Sequence, residues 1–167
     1  MDIQKILVSA CLLGEKVRYD GSACSVHGLL DTWGRQGRIV PICPEVAGGL
    51  CVPREPAEIE QGDADAVLRG LGRIRKQNGD DLTDAFMDGA ERALALCWEH
   101  KIKIAILKEG SPSCGSNRVN DGKFKSHKIN GQGLTTALLT GHGISVFSED
   151  QLHAAAQRLA ELEAGDG

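Results

Sequence analysis

Three apolar runs in this chain each empty into a cysteine, and that pattern limits the folds open to it. The run is clearest from Ile102 to Leu107, where mostly β-branched and aliphatic side chains give way to Gly110-Ser111-Pro112-Ser113-Cys114-Gly115. Such a passage reads as a buried strand followed by a tight polar loop. Residues 5 to 10 run the same way into Cys11, and Arg38 to Ile42 run into Cys43-Pro44-Glu45. In an open parallel sheet the carboxyl ends of the strands share one edge, so three thiols far apart in sequence can meet there.

The segments between these runs read mainly as helices. His27 to Arg35 carries Leu29, Leu30 and Trp33 on one side, with Gly37 as its stop. Thr83 is the expected cap of a helix in which Phe86, Ala90, Ala93, Leu94 and Cys97 form a stripe. Leu134 to Thr140 is a short helix closed by Gly141, and Ile144 to Phe147 is a fourth strand. Ser148 and Gln151 form a capping box ahead of a helix with Leu152, Ala155, Ala156, Leu159 and Leu162 on one face. After Glu45, Gly48-Gly49 and Pro53-Arg54-Glu55-Pro56 predict a long irregular loop without regular helix; in residues 63–82, Ala66-Val67-Leu68 and Arg73-Ile74-Arg75 read either as short strands around Gly70 to Gly72 or as fragments of helix, with a small hairpin excursion the favoured form. Asn120-Asp121-Gly122 marks a turn. The expectation is an α/β fold in which residues 1–167 form a single compact domain, mainly parallel sheet with helices on both faces, Rossmann-like. A chain of 167 residues buries roughly 70% of its unfolded surface, enough for a core without staples.

Charge and cysteine content narrow the function. Lys and Arg number 19 against 23 Asp and Glu, a net charge of -4, which argues against nucleic acid as the main partner. Neither a signal-peptide pattern nor an apolar stretch of membrane-spanning length is seen, so no membrane partner and a cytoplasmic location are expected. Six cysteines in a reducing compartment are core residues, ligands or catalysts rather than a disulfide framework. Oligomeric state is not written in the sequence.

Cys97 belongs to its helical stripe and reads as a small core hydrophobe. Cys24 and His27 have a spacing that can hold zinc, but no second close pair completes a tetrahedron. Cys51, eight residues after Cys43, is a weaker candidate ligand than Cys11, Cys43 and Cys114, each of which follows a strand. Three thiolates suit either zinc or an iron-sulfur cluster with one uncapped metal, and the absence of histidine from these loops favours the cluster. Glu45 and Ser111 would face the same edge, where a carboxylate and a hydroxyl can activate water. Ser111 can equally stabilise a turn, and Glu45 can be the ion-pair partner of Arg18 or Arg54.

The motifs Ser-Ala-Cys-Leu-Leu-Gly at 9–14, Arg-Tyr-Asp-Gly at 18–21, Cys-Pro-Glu-Val-Ala-Gly-Gly-Leu at 43–50, Pro-Arg-Glu-Pro at 53–56 and Leu-Lys-Glu-Gly-Ser-Pro-Ser-Cys-Gly at 107–115 carry a family likeness. With Asp121-Gly122-Lys123-Phe124 and Gly131 to Thr135, the chain resembles the thiouracil desulfurases, a bacterial and archaeal domain long of unknown function. The resemblance covers residues 5 to 150. It implies a [4Fe-4S] cluster held by Cys11, Cys43 and Cys114, with the fourth iron not bound by protein and free to take the sulfur of a thiocarbonyl. It also implies Glu45 and Ser111 as the catalytic pair beside a water, in a non-redox conversion of 4-thiouracil to uracil and sulfide. Ser9, Arg18, Asp20 and Ser113, in the same motifs, are the expected substrate-binding side chains. A cysteine at position 51 departs from the family pattern. Two other classes stay open: a zinc or thiol enzyme using the same cysteines, and a small-molecule or nucleotide-binding module using the 110–115 loop with Lys108.

Overall fold

The computed structural model describes residues 3–15, 19–20 and 27–165. The expected Arg18 contact and the Cys24–His27 pair therefore rest wholly or partly on positions outside the described residues. Strand β1 (Ile6–Ser9) passes into a 3₁₀ turn at Ala10–Leu13, and helix α1 (Gly28–Arg35) leads to β2 (Ile39–Ile42). Next come α2 (Pro44–Ala47), β3 (Ala57–Ile59), α3 (Ala64–Leu68) and β4 (Ile74–Lys76). The long helix α4 (Thr83–Glu99) feeds β5 (Ile104–Leu107). A hairpin of β6 (Arg118–Asn120) and β7 (Lys128–Asn130) precedes α5 (Leu134–Gly141), β8 (Ser145–Ser148) and α6 (Leu152–Gly165).

The main sheet has the order β2-β1-β5-β8 and is parallel throughout. Ile6 stands between Ile39 and Ile104, and Ile106 opposite Phe147. Residue alternation divides the core into two layers. Leu7, Ala105 and Leu107 point to one face and pack with Ala93, Leu94 and Cys97 of α4 and Leu139 of α5. Ile6, Val8, Ile104 and Ile106 point to the other, against Leu30 and Trp33 of α1 and Leu152, Ala155 and Leu159 of α6. Every residue of β1 and β5 is buried, as the central strands of a parallel sheet covered on both faces must be. The fold is therefore the α/β arrangement that the alternation of apolar runs and stripes predicts.

At the β2 edge the Arg38 carbonyl accepts the Ile6 N–H at 2.8 Å. Val40 and Ile42 then turn their backbone groups toward β1, and the imide nitrogen of exposed Pro41 faces outward.

Three local readings need correction, and the expected turn at Asn120-Asp121-Gly122 is present. Residues 44–47 are a turn of helix rather than loop: Pro44 takes the first helical position, where a missing N–H costs nothing, and Gly48 ends the turn. Residues 63–82 hold a short helix and one strand, and the hairpin partner of that strand is β3, with Ile59 opposite Ile74. The turn at Asn120-Asp121-Gly122 belongs to a β6–β7 hairpin in which Val119 faces Ile129. Thr83 does not cap α4. Its N–H and hydroxyl both donate to Asp81 Oδ1, at 2.9 and 2.5 Å, and its oxygen accepts the Ile74 N–H at 2.9 Å. The capping box at Ser148 and Gln151 is present as read.

Helices α2 and α4 meet backbone to backbone. A Cβ on Gly48 would lie 2.0 Å from the Ala85 carbonyl oxygen, and one on Gly89 1.9 Å from that of Pro44. This contact fixes the residue that opens α2, Cys43.

Candidate active site

The order in which strands are added to the sheet reverses at β1, since β2 lies on one side of it and β5 on the other. The carboxyl ends flanking such a reversal splay apart and leave a crevice, the usual ligand site of an open α/β sheet. A cleft of about 470 Å³ opens there. Cys11, Cys43, Cys114, Glu45 and Ser111 all line it, with Ser9, Tyr19, Arg54, Lys108 and Lys128 among the surrounding walls.

Each thiol is placed by a different local device. Cys11 lies in the turn after β1, which closes when Gly14, at φ +90°, donates its N–H to the Cys11 carbonyl at 3.2 Å. Cys43 sits between β2 and α2, at the start of that helix. Cys114 rides on a loop that serves as the cap of α5. The Leu134 and Thr135 N–H groups donate to the Pro112 and Ser113 carbonyls at 2.8 and 2.9 Å, and the Thr136 hydroxyl donates to the Cys114 carbonyl at 3.0 Å. The approach is so close that a Cβ on Gly133 would stand 2.5 Å from the Ser113 carbonyl.

Burial pushes the Cys114 thiol up to about 12, with the Ser9 and Ser113 hydroxyls pulling against it and the Glu45 and Cys43 charges adding to it. Burial also raises Cys43, opposed by the Val46 and Glu45 N–H groups at the start of α2 and by the Arg54 charge. Thiols so held lose their protons to a metal rather than to water. Among the described residues no three His, Cys, Asp or Glu side chains close on a point as a single metal ion requires. Tetrahedral zinc with its ~2.3 Å bonds would need the sulfurs roughly 4 Å apart. A polynuclear cluster takes each thiolate on a different iron and accepts a wider triangle, and no described histidine lines the cleft. The donor set fits an iron-sulfur cluster.

Glu45 Oε1 accepts from Arg54 Nε at 2.9 Å, and Arg54 also reaches the Cys51 carbonyl at 3.0 Å. Both side chains are largely buried, at 15% and 10% exposure. Ser111 Oγ accepts the N–H groups of Ser113 at 3.2 Å and Cys114 at 2.7 Å. Its oxygen is thereby occupied, and its hydrogen is what it can offer to the cleft.

The other expected residues are placed differently. The Ser9 hydroxyl accepts the Lys108 N–H at 3.0 Å and donates to the Cys114 sulfur at 3.7 Å, so it serves the thiol. Ser113 is buried and bonded to the Thr135 hydroxyl at 2.8 Å, behind the loop rather than in the cleft wall. Asp20 is exposed and also lies outside the wall. Cys51 is exposed and does not line the cleft, while Cys97 is buried in the core, its thiol pushed up to about 12 by burial. Two charged wall residues were not singled out from sequence, Glu109 and Lys128. Glu109 immediately precedes the Gly110 turn, which is the signal that could have drawn attention to it.

A sequence profile of the family described as 2-thiouracil desulfurase matches residues 6–151. The chain belongs to that family. This desulfurase-family chain is also similar to YbbK, an uncharacterized protein of Bacillus subtilis (strain 168), with 43% identity over 151 residues, 89% of this chain and 97% of that protein. Among solved structures it is similar to the [4Fe-4S]-dependent thiouracil desulfidase TudS, with a TM-score of 0.86 and 51% identity over 94% of this chain and 98% of that one.

Proposed function

We propose that this chain is a [4Fe-4S]-dependent enzyme that exchanges the sulfur of a small thiolated pyrimidine, such as 4-thiouracil, for the oxygen of water without redox change. The observation that carries this reading is the meeting of Cys11, Cys43 and Cys114 with Glu45 and Ser111 on one cleft at the sheet's switch point. The similarity to TudS supports it. The three cysteines would hold the cluster, which when bound would supply an iron without a protein ligand as Lewis acid and sulfur acceptor.

The remaining chemistry falls to side chains of this chain. Glu45, steadied by Arg54, takes a proton from water as its oxygen bonds to the thiocarbonyl carbon. The Ser111 hydroxyl donates to that oxygen and fixes its approach. Breaking the carbon–sulfur bond then yields the carbonyl, and the sulfur leaves as sulfide with the protons of the water. Electrons balance without an oxidant or reductant.

The test is anaerobic purification, iron counting and measurement of uracil and sulfide release from 4-thiouracil. Serine at Cys11, Cys43 or Cys114 is expected to leave a folded protein that has lost most iron, while Cys51→Ser and Cys97→Ala keep it. Glu45→Gln should retain iron and lose roughly 10²-fold or more in turnover. Full iron in Cys43→Ser together with loss in Cys51→Ser would reassign the second ligand, and undiminished turnover in Glu45→Gln would remove it as the base.

A further inference from the structure

The loop that carries Ser111 and Cys114 is wrapped around one carboxylate. Glu109 Oε1 accepts four backbone N–H groups, from Gly110 at 3.2 Å, Ser116 at 3.0 Å, and Asn117 and Arg118 at 3.1 Å each. Its Oε2 accepts the Ser116 hydroxyl at 3.1 Å and the Asn117 side-chain amide at 2.9 Å. Burial alone pushes the Glu109 carboxyl up, but these donors outweigh it and leave it below the usual glutamate range.

The carboxylate is itself a fixed post. The Glu109 N–H donates to Glu149 Oε1 at 2.8 Å, and Lys108 Nζ bonds the other oxygen of Glu149 at 2.6 Å, tying the end of β5 to the residue after β8. Between residues 110 and 117 the loop has no strand pairing; its carbonyls at 112–115 are taken by the start of α5, and its N–H groups at 110, 116 and 117, with that of Arg118, are gathered by Glu109. Charged acceptors of several backbone N–H groups make the strongest such anchor.

We infer that Glu109 is the positioning residue of this loop, holding Ser111 and Cys114 against the cleft before any cofactor is present. The functional meaning of that placement rests on the proposed role of Cys114 as a cluster ligand and of Ser111 at the water, but the placement itself does not. Glu109 lies in the cleft wall with both carboxylate oxygens taken up by the loop's own donors, and it acts through the two residues that loop presents.

The test uses the cofactor-free chain of 167 residues, so that it does not depend on activity. Amide exchange is followed at Gly110, Ser116, Asn117 and Arg118, and alkylation of Cys114 by iodoacetamide is mapped by mass spectrometry with Cys97 as the internal reference. Glu109→Ala should speed exchange at those amides and alkylation of Cys114 by roughly tenfold or more, leaving Cys97 slow. Glu109→Gln keeps an acceptor oxygen for the four N–H groups and should restore most of the protection. Wild-type rates in Glu109→Ala overturn the inference. Equal acceleration at Cys97 does so too, because it marks loosening of the whole molecule, as does a Glu109→Gln variant as loose as the alanine. Iron content of Cys114→Ser separates the two readings: full iron there removes the proposed ligand while leaving the positioning role of Glu109 to stand on the exchange data.

Discussion

The Asp81 carboxylate is held down to about 2, first by the Thr83 hydroxyl, then, against an opposing push from burial, by the Thr83 N–H and the Arg73 guanidinium. Because its folded value lies below its unfolded one, the stability it contributes is present above about pH 4 and is lost as pH falls from there toward 2. The side chain is about a third exposed, so screening reduces this to about 1 kcal/mol at neutral pH. Asp81→Asn should lower urea stability by that amount at pH 7, and the gap between variant and wild type should close between pH 4 and pH 2. A gap that stays constant over that range would assign the effect to shape rather than charge. Position 83 also shows where residue-level reading stops. Thr83 is a good cap by type, but a buried threonine whose oxygen is taken by the Ile74 N–H cannot also serve the helix, and only the packing of β4 reveals that.

Among the elements, those that bury a whole face were legible. β1, β2, β5 and β8 follow from apolar runs, and α4 and α6 from stripes that end up against the two faces of the sheet. β3, β4, β6 and β7 are three residues each, too short for alternation to declare itself, and β3 meets β4 only across the intervening helix α3. The thiols were legible because each follows a strand and parallel strands end together. Glu109 was not, because its work is done by backbone donors that no residue spacing advertises. The same holds for α2, whose Pro44 and Gly48 read as breakers, whereas one starts the helix and the other lets it touch α4. Gly89→Ala would drive a Cβ into the Pro44 carbonyl and should cost on the order of 2–3 kcal/mol. It should also shift Cys43, so iron retention should fall alongside the denaturation midpoint. Gly141, at the end of α5 with nothing within 4 Å of its Cβ position, is the control: alanine there should be neutral or stabilising by about 0.5 kcal/mol. Equal losses at the two positions would argue against the close helix contact.

At the scale of the whole molecule, the four-stranded sheet separates two jobs. Its faces make the core, through Leu7, Ala105 and Leu107 on one side and Ile6, Val8, Ile104 and Ile106 on the other, while its carboxyl edge makes the cleft. Side chains at strand ends can therefore change chemistry without disturbing the packing that keeps the strands parallel. An open sheet, unlike a barrel, keeps lateral edges, and β2 is one of them. With Pro41 set outward there, a second chain approaching this edge finds a carbon ring where it would need a hydrogen-bond donor. The proline thus acts as a guard against self-templating, a hazard that grows during folding, when parallel strands wait longest for their distant partners. Pro41→Val should leave the native denaturation midpoint nearly unchanged and increase light scattering during refolding at high protein concentration; refolding yields equal to those of the wild type would show that this edge needs no guard.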